Sequence, residues 1–230
     1  MKEQPIAVAI DGPSGAGKSS IARAAAGRLG FVYVDTGAIY RTVGLASRRA
    51  GLDLGDAGGV AALLPSLHIE LSYDSAGAQA MLLDGEDVSA AIRAPEISMC
   101  ASSVAALPVV RAFLLEMQRD MARRYDVIMD GRDIGTVVLP DAKVKIFLTA
   151  SPEARARRRC LELEQTGVHT GFDEVLRDIL FRDRQDSERA AAPLKRAEDA
   201  VTVDTSELDF DASVAAVCRL ITEKTGRVCV

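Results

Sequence analysis

Ile6-Ala7-Val8-Ala9-Ile10-Asp11-Gly12-Pro13-Ser14-Gly15-Ala16-Gly17-Lys18-Ser19-Ser20 is the stretch that decides the fold. Its first five residues are the apolar run of a buried strand, and Gly12 to Ser19 fits G-x-x-x-x-G-K-[ST], the pattern of a phosphate-binding P-loop. From Lys18 to Leu29 the chain is alanine-rich and suits a helix. The glycine turn therefore lies between strand and helix, where its chemistry requires it. Glycines let successive backbone N–H groups turn toward one anion, and the helix N-terminus adds the positive end of its dipole. Lys18 reaches the β and γ phosphates, and Ser19 can ligate magnesium. With glycine near 7% of average sequence, the four specified positions match by accident on the order of once in a hundred such chains. A nucleoside triphosphate site is predicted.

Working outward, Gly30 closes the helix, Phe31-Val32-Tyr33-Val34 reads as a second strand, and Asp35-Thr36-Gly37 opens a helix running to about Ala50. Further short apolar runs follow at Val127 to Met129, Val144 to Leu148 and Val201 to Val203, separated by helical stretches. This alternation predicts an α/β fold of the P-loop NTPase type, a doubly wound parallel sheet flanked by helices. Met117, Met121 and the leucines between 107 and 121 read as the apolar side of one such helix. Between 66 and 95 the period changes to two: Ile69, Leu71 and Tyr73 alternate with His68, Glu70 and Ser72. Turn signals at Asp74-Ser75-Ala76-Gly77 and Asp84-Gly85 flank Gln79 to Leu83, so a small antiparallel β insertion is predicted. Residues 151–195 are arginine-rich and read as two helices joined around Thr166-Gly167, a short helical lid. The predicted division is a core of 1–65, 96–150 and 196–230, an insertion at 66–95 and the lid region at 151–195.

Composition narrows the partners. The chain has 230 residues, 48% hydrophobic and 27% charged, which fits one large globular domain carrying insertions and disfavours disorder. No apolar run exceeds five residues, too short for a membrane span of about 20 or a signal-peptide core of about 7. The four cysteines form no C-x-x-C pair, and a reduced cytoplasmic location is expected. Lys plus Arg total 28 against 33 Asp plus Glu, and there is no Trp, so neither bulk positive charge nor stacking surface favours a nucleic acid polymer. A monomer without membrane contact is expected.

A P-loop does not choose its acceptor. No N-K-x-D guanine-reading motif is present, which weighs against a GTP switch. Val127-Ile128-Met129-Asp130 is the kind of apolar strand ending in a carboxylate that orders magnesium-bound water beside a P-loop, although acidic residues cap many buried strands. Arg155, Arg158 and Arg159 fall at i, i+3 and i+4, and Arg182, Asp186 and Arg189 at i, i+4 and i+7, so each set shares a face if its segment is helical. Collecting like charges costs self-repulsion that a bound polyphosphate relieves; ordinary i,i+4 pairing on a solvated face is the alternative. His68 and His169 stand apart from these motifs and are assigned no role.

Asp35-Thr36-Gly37-Ala38-Ile39-Tyr40-Arg41, Asp130-Gly131-Arg132-Asp133-Ile134-Gly135-Thr136-Val137-Val138, and Arg182-Asp183-Arg184-Gln185-Asp186-Ser187-Glu188-Arg189 with Pro193-Leu194 resemble the bacterial-type cytidylate (CMP) kinases. The resemblance runs from the P-loop to the Val201 strand and includes the 66–95 insertion. It implies transfer of the ATP γ-phosphoryl group to CMP or dCMP, with Mg2+. It also implies that Gly12, Pro13, Ser14, Gly15, Ala16, Gly17, Lys18, Ser19 and Ser20 hold ATP, with Ser19 and, through water, Asp130 on the metal. Arg41, Arg132 and Arg189 would grip the acceptor phosphate, and Arg182 would bridge donor and acceptor. Arg155 and Arg158 or Arg159 would cover the transferring group. Ser102, Arg111 and Asp133 resemble a base-reading set, Asp186 a ribose contact, and Thr36 and Tyr40 the pocket lining. Cytosine presents an N4 amino donor where uracil presents an acceptor, so a carboxylate at Asp133 separates them, and arginine complements the rest of the cytosine edge. On the residues alone Asp133 also reads as a helix-start carboxylate after Gly131. Two other functions remain open from sequence: another small-molecule P-loop kinase, for instance one acting on a sugar acid, and a nucleotide-dependent regulatory binding protein.

Overall fold

A computed structural model describes residues 4–74, 79–165 and 167–228. In chain order the elements are β1 (Ala7–Asp11), α1 (Lys18–Leu29), β2 (Val32–Asp35), α2 (Thr36–Arg49), α3 (Ala57–Leu63), β3 (Ile69–Tyr73), β4 (Gln79–Leu83) and β5 (Glu86–Asp87). They continue with α4 (Pro95–Ala105), α5 (Pro108–Arg124), β6 (Val127–Gly131), β7 (Val144–Thr149), α6 (Pro152–Gln165), α7 (Phe172–Glu188), β8 (Val201–Asp204) and α8 (Phe210–Thr225). The five strands β2-β6-β1-β7-β8 form one wholly parallel sheet in that order, and β3-β4-β5 form a small antiparallel one.

The two-residue period of the strands divides the core. Ala9, Val34, Val127 and Met129 face a layer made with α2, α4 and α5, while Val8, Ile10, Ile128, Ile146 and Leu148 face α1 and α8. Both faces are covered, as near-continuous apolar strands require. The antiparallel insertion has no separate core, because Ile69, Met81, Leu83 and Val88 join the α2 side. The lid helices do: Ala156, Val175 and Ile179 make a cluster of their own between α6 and α7.

The sequence boundaries hold to within a few residues, and the differences have causes. Phe31 is not in β2, because its N–H bonds to the Ala26 carbonyl and completes the left-handed turn that Gly30 makes after α1. Strand β6 runs two residues past Met129, since Asp130 and Gly131 still pair beside Ile10 and Asp11. Helix α7 ends at Glu188, so Arg189 sits in extended backbone beyond the face it was expected to share with Arg182 and Asp186. Of the predicted turns, Ser75, Ala76, Gly77 and Thr166 lie outside the described residues, as does Cys229. No single helix among the described residues is long and apolar enough to cross a membrane; α4 and α5 together pass that test, but they meet at 96° and contribute Ile97, Val104, Val110 and Leu114 to the core.

Candidate active site

The C-terminal ends of β1, β2 and β6 open into a cleft of about 410 Å³ between the P-loop, α2, α4 and the lid helices. One half of it is built by the loop after β1. Gly12, Gly15 and Gly17 take φ of +153°, +75° and +83°, angles that an L side chain rarely adopts, and this turns the loop amides inward. Lys18, at the first position of α1, is buried and donates to the Pro13 carbonyl at 2.7 Å. Burial, then the nearby Arg132 charge, pulls its ammonium far below the usual range, to about 7. Ser19 Oγ donates to Asp130 Oδ2 at 2.9 Å, and the Tyr33 hydroxyl donates to Asp130 Oδ1 at the same distance. Burial and the neighbouring Asp35 raise the Asp130 carboxyl to about 6.

The other half is lined by charge. Asp35 caps α2 by accepting from the Ala38 N–H and pairs with Arg41 at 2.9 Å. Arg132 Nε donates to Asp186 at 2.6 Å. Asp133, buried at 4% exposure, binds Arg111 through one carboxylate oxygen and has Arg189 3.8 Å from the other. Arg111 in turn lies over the Tyr40 ring, 5.6 Å from its centroid. Arg189 Nη2 and Arg41 Nε are buried with no hydrogen-bond acceptor, so at least two guanidinium donors here are oriented and unsatisfied.

Most of the candidates converge. Ser14, Gly15, Gly17 to Ser20, Thr36, Tyr40, Arg41, Ser102, Arg111, Asp130, Arg132, Asp133, Arg158, Arg182, Asp186 and Arg189 all line this cleft, whereas Gly12, Pro13 and Ala16 do not. Among the arginines, Arg155 is one exception. It is 3% exposed and turned away from the cleft, donating to Asp183 with both Nη atoms (2.9 and 2.6 Å), to the Ser14 carbonyl at 2.9 Å and to the Ala150 carbonyl at 3.0 Å. Asp183 on α7 supplies the partner that draws it inward. Arg158 is held by the Thr205 and Leu208 carbonyls while still bordering the cleft, and Arg159 pairs on the surface with Glu162.

Several supporting residues escaped sequence reasoning. Gln79 on β4 reaches the Asp35 N–H at 2.8 Å and Tyr73 donates to the Tyr33 carbonyl at 3.1 Å, so the insertion is pinned to the free edge of β2. Asp11 accepts from Ile134 and Gly135 N–H, both at 2.8 Å; burial lifts it to about 6 against the pull of those two amides. Neither Gln79 nor Asp11 carries a local sequence signal, since their partners lie 44 and more than 120 residues away.

A parallel sheet with a P-loop at its centre, an arginine-rich acceptor pocket alongside and a helical lid above defines a P-loop phosphotransferase for a small anionic acceptor. The family model for cytidylate kinase matches residues 8–223. Relatives named cytidylate kinase include that of Lactobacillus gasseri, 46% identical over 217 residues and 94% of each chain. The cytidylate kinase of Pelotomaculum thermopropionicum is 49% identical over 210 residues, 91% of this chain and 93% of its own. This chain belongs to the cytidylate kinase family. Among solved structures, an uncharacterised protein from Eubacterium ventriosum superposes with a TM-score of 0.52 at 11% identity, covering 94% of this chain and 98% of its own, which speaks to the fold alone.

Proposed function

We propose that this chain transfers the γ-phosphoryl group of ATP to CMP or dCMP. A phosphate oxygen of the monophosphate attacks the γ phosphorus, the bond to the β–γ bridging oxygen breaks, and ADP leaves with that electron pair. Phosphoryl transfer asks the protein for alignment and for cations around the equatorial oxygens. Lys18 and the loop amides supply these on the donor side; Arg41, Arg132 and Arg189 supply them on the acceptor side, with Arg182 and Arg158 facing the junction from the lid. Arg155 acts by tying Ser14 of the loop to α7. Ser19 and Asp130 are hard oxygen donors set 2.9 Å apart, which suits Mg2+, an ion that keeps several waters and takes few protein ligands. When bound there, Mg2+ would neutralise charge on the ATP phosphates. Residues 66–95 are assigned to monophosphate binding and 151–195 to the lid.

The observation that carries the acceptor assignment is the buried Asp133 and Arg111 pair resting on Tyr40 beside unsatisfied arginine donors. Such a pair offers an acceptor to the cytosine N4 amino group and donors to its N3 and O2, while uracil O4 would face the carboxylate. Initial rates at fixed ATP with CMP, dCMP, UMP, AMP and a sugar acid test this. CMP and dCMP should exceed UMP by tenfold or more in kcat/KM, since one base contact is worth about 1–3 kcal/mol. Asp133→Ala should lower the CMP value by about tenfold and shrink the CMP to UMP ratio. Equal rates with UMP, or a ratio that Asp133→Ala leaves alone, would remove the base assignment.

A further inference from the structure

We infer that Asp11 is a positioning residue that sets the specificity for the acceptor base by fixing the backbone immediately after Asp133. The inference rests on the reading of Asp133 given above. Asp11 is the last residue of β1, directly before the P-loop; it does not line the cleft, although the charges of Lys18 and Asp133 lie near enough to act on it. Its carboxylate instead grips the opposite segment with both oxygens, Oδ1 on the Ile134 N–H and Oδ2 on the Gly135 N–H. Those two amides open a single π-type turn, Ile134–Val138, whose preceding residue is Asp133.

That turn needs an outside anchor. Helix starts usually gain a side-chain cap on their first amides, and Asp133 gives none here because its carboxylate is committed to Arg111 and Arg189. Asp11 takes over the capping from 123 residues away, and so frees the Asp133 side chain to face the cleft. Gly135 packs beside it: a Cβ there would be in ordinary van der Waals contact with Asp11 Oδ2 at 3.4 Å, and its tightest approach, 3.2 Å, would be to the Lys145 side chain. A carboxylate is needed because both contacts are donors. Asparagine in the same place offers one acceptor and turns an NH2 group against the other amide, leaving a buried N–H without a partner. The Arg132-Asp133 backbone would then lose its fixed angle, and with it the aim of the base-reading pair. Because Asp11 also precedes Gly12, one carboxylate joins the end of the donor loop to the acceptor-reading segment.

The experiment measures Asp11→Asn and Asp133→Ala, alone and together, by steady-state kinetics with CMP and UMP, alongside equilibrium binding of ATP to the acceptor-free protein. Asp11→Asn should raise KM for CMP by about tenfold with a smaller change in kcat, cut the CMP to UMP ratio at least fivefold, and leave ATP affinity within about twofold. In the Asp133→Ala background the same change should move the ratio by less than about twofold, since nothing remains to be aimed. A ratio unaltered by Asp11→Asn, a loss confined to ATP binding, or a full effect that persists without Asp133 would each overturn the inference. Should Asp11→Asn fail to fold, Asp11→Glu, which keeps the charge but displaces the carboxylate by one methylene from the two amides, is read against the same outcomes. Failure of the base reading shows separately, as a ratio that Asp133→Ala by itself does not change.

Discussion

Lys18→Met will lower the rate of phosphoryl transfer by on the order of a thousandfold and will leave the protein at least as stable as before. Removing one preorganised donor at a site of developing charge costs about a hundred- to a thousandfold, and Lys18 carries a full charge as well as its hydrogen bonds. The stability side follows from burial. The ammonium is buried near Arg132, with a pKa lowered to about 7 from an ordinary 10.5. A depressed lysine pKa means that the folded state pays for the charge: the penalty is complete below about pH 7 and fades as pH rises toward 10.5. Methionine keeps the length of the side chain and removes the charge, giving up the bond to Pro13 and the attractions of Asp130, Asp186 and Asp11, which burial and Arg132 outweigh. Melting curves should therefore place the variant at or above the parent at pH 7, with the gap closing by pH 10. A variant that melts well below the parent would reduce its inactivity to misfolding. Polyphosphate binding should also reprotonate Lys18, so ATP titrations at pH 8 in buffers of different ionisation enthalpy should register proton uptake in the parent and much less in Lys18→Met.

Elements set by local chemistry read directly: α1 from its alanines and the closing Gly30, α2 from the Asp35 cap, the sheet from apolar runs covered on both faces. Among the cleft residues Lys18 is legible from the chemistry of its loop motif, whereas Arg41 and Asp133 come only through the family resemblance, Asp133 reading by itself as a helix-start carboxylate. Helical spacing placed Arg155 and Arg158 on a common face but carried no information about what packs there, and only the fold brings Asp183 and Ser14 to Arg155. Arg189 reads as helical because nothing in Ser187-Glu188-Arg189 announces a stop; the helix ends there as the Leu194 N–H folds back onto the Asp186 carbonyl and Arg189 Nε onto that of Ala192. Asp11 and Gln79 were illegible for a simpler reason. Each is a polar side chain whose partners are backbone amides far along the chain, and backbone amides leave no mark on a sequence.

Gly12→Ala should be among the most damaging single changes outside the charged residues. A Cβ at this position would stand 1.9 Å from the Leu148 carbonyl oxygen and 3.0 Å from its carbon, and both atoms belong to the backbone of β7, paired directly to β1. No rotamer can relieve that contact. The residue also holds φ at +153°, which adds strain of about 1–3 kcal/mol for a side-chain-bearing residue. Either the strands part or the loop moves, and the loop is the softer of the two, so the loss should fall on ATP binding as well as on stability. A total cost of about 3 kcal/mol lowers the melting temperature by roughly 6–12 °C in a chain of this size. Gly27→Ala provides the contrast within the same strand-loop-helix unit. It lies inside α1 with ordinary helical backbone, a Cβ there meets nothing within 4 Å, and it should gain about 0.5–1 kcal/mol through lower unfolded-state entropy. Melting curves with and without saturating ATP should then show a raised midpoint and an intact ligand shift for Gly27→Ala, against a lowered midpoint and a lost shift for Gly12→Ala. An intact shift in Gly12→Ala would mean that the strands, not the phosphate loop, absorb the clash.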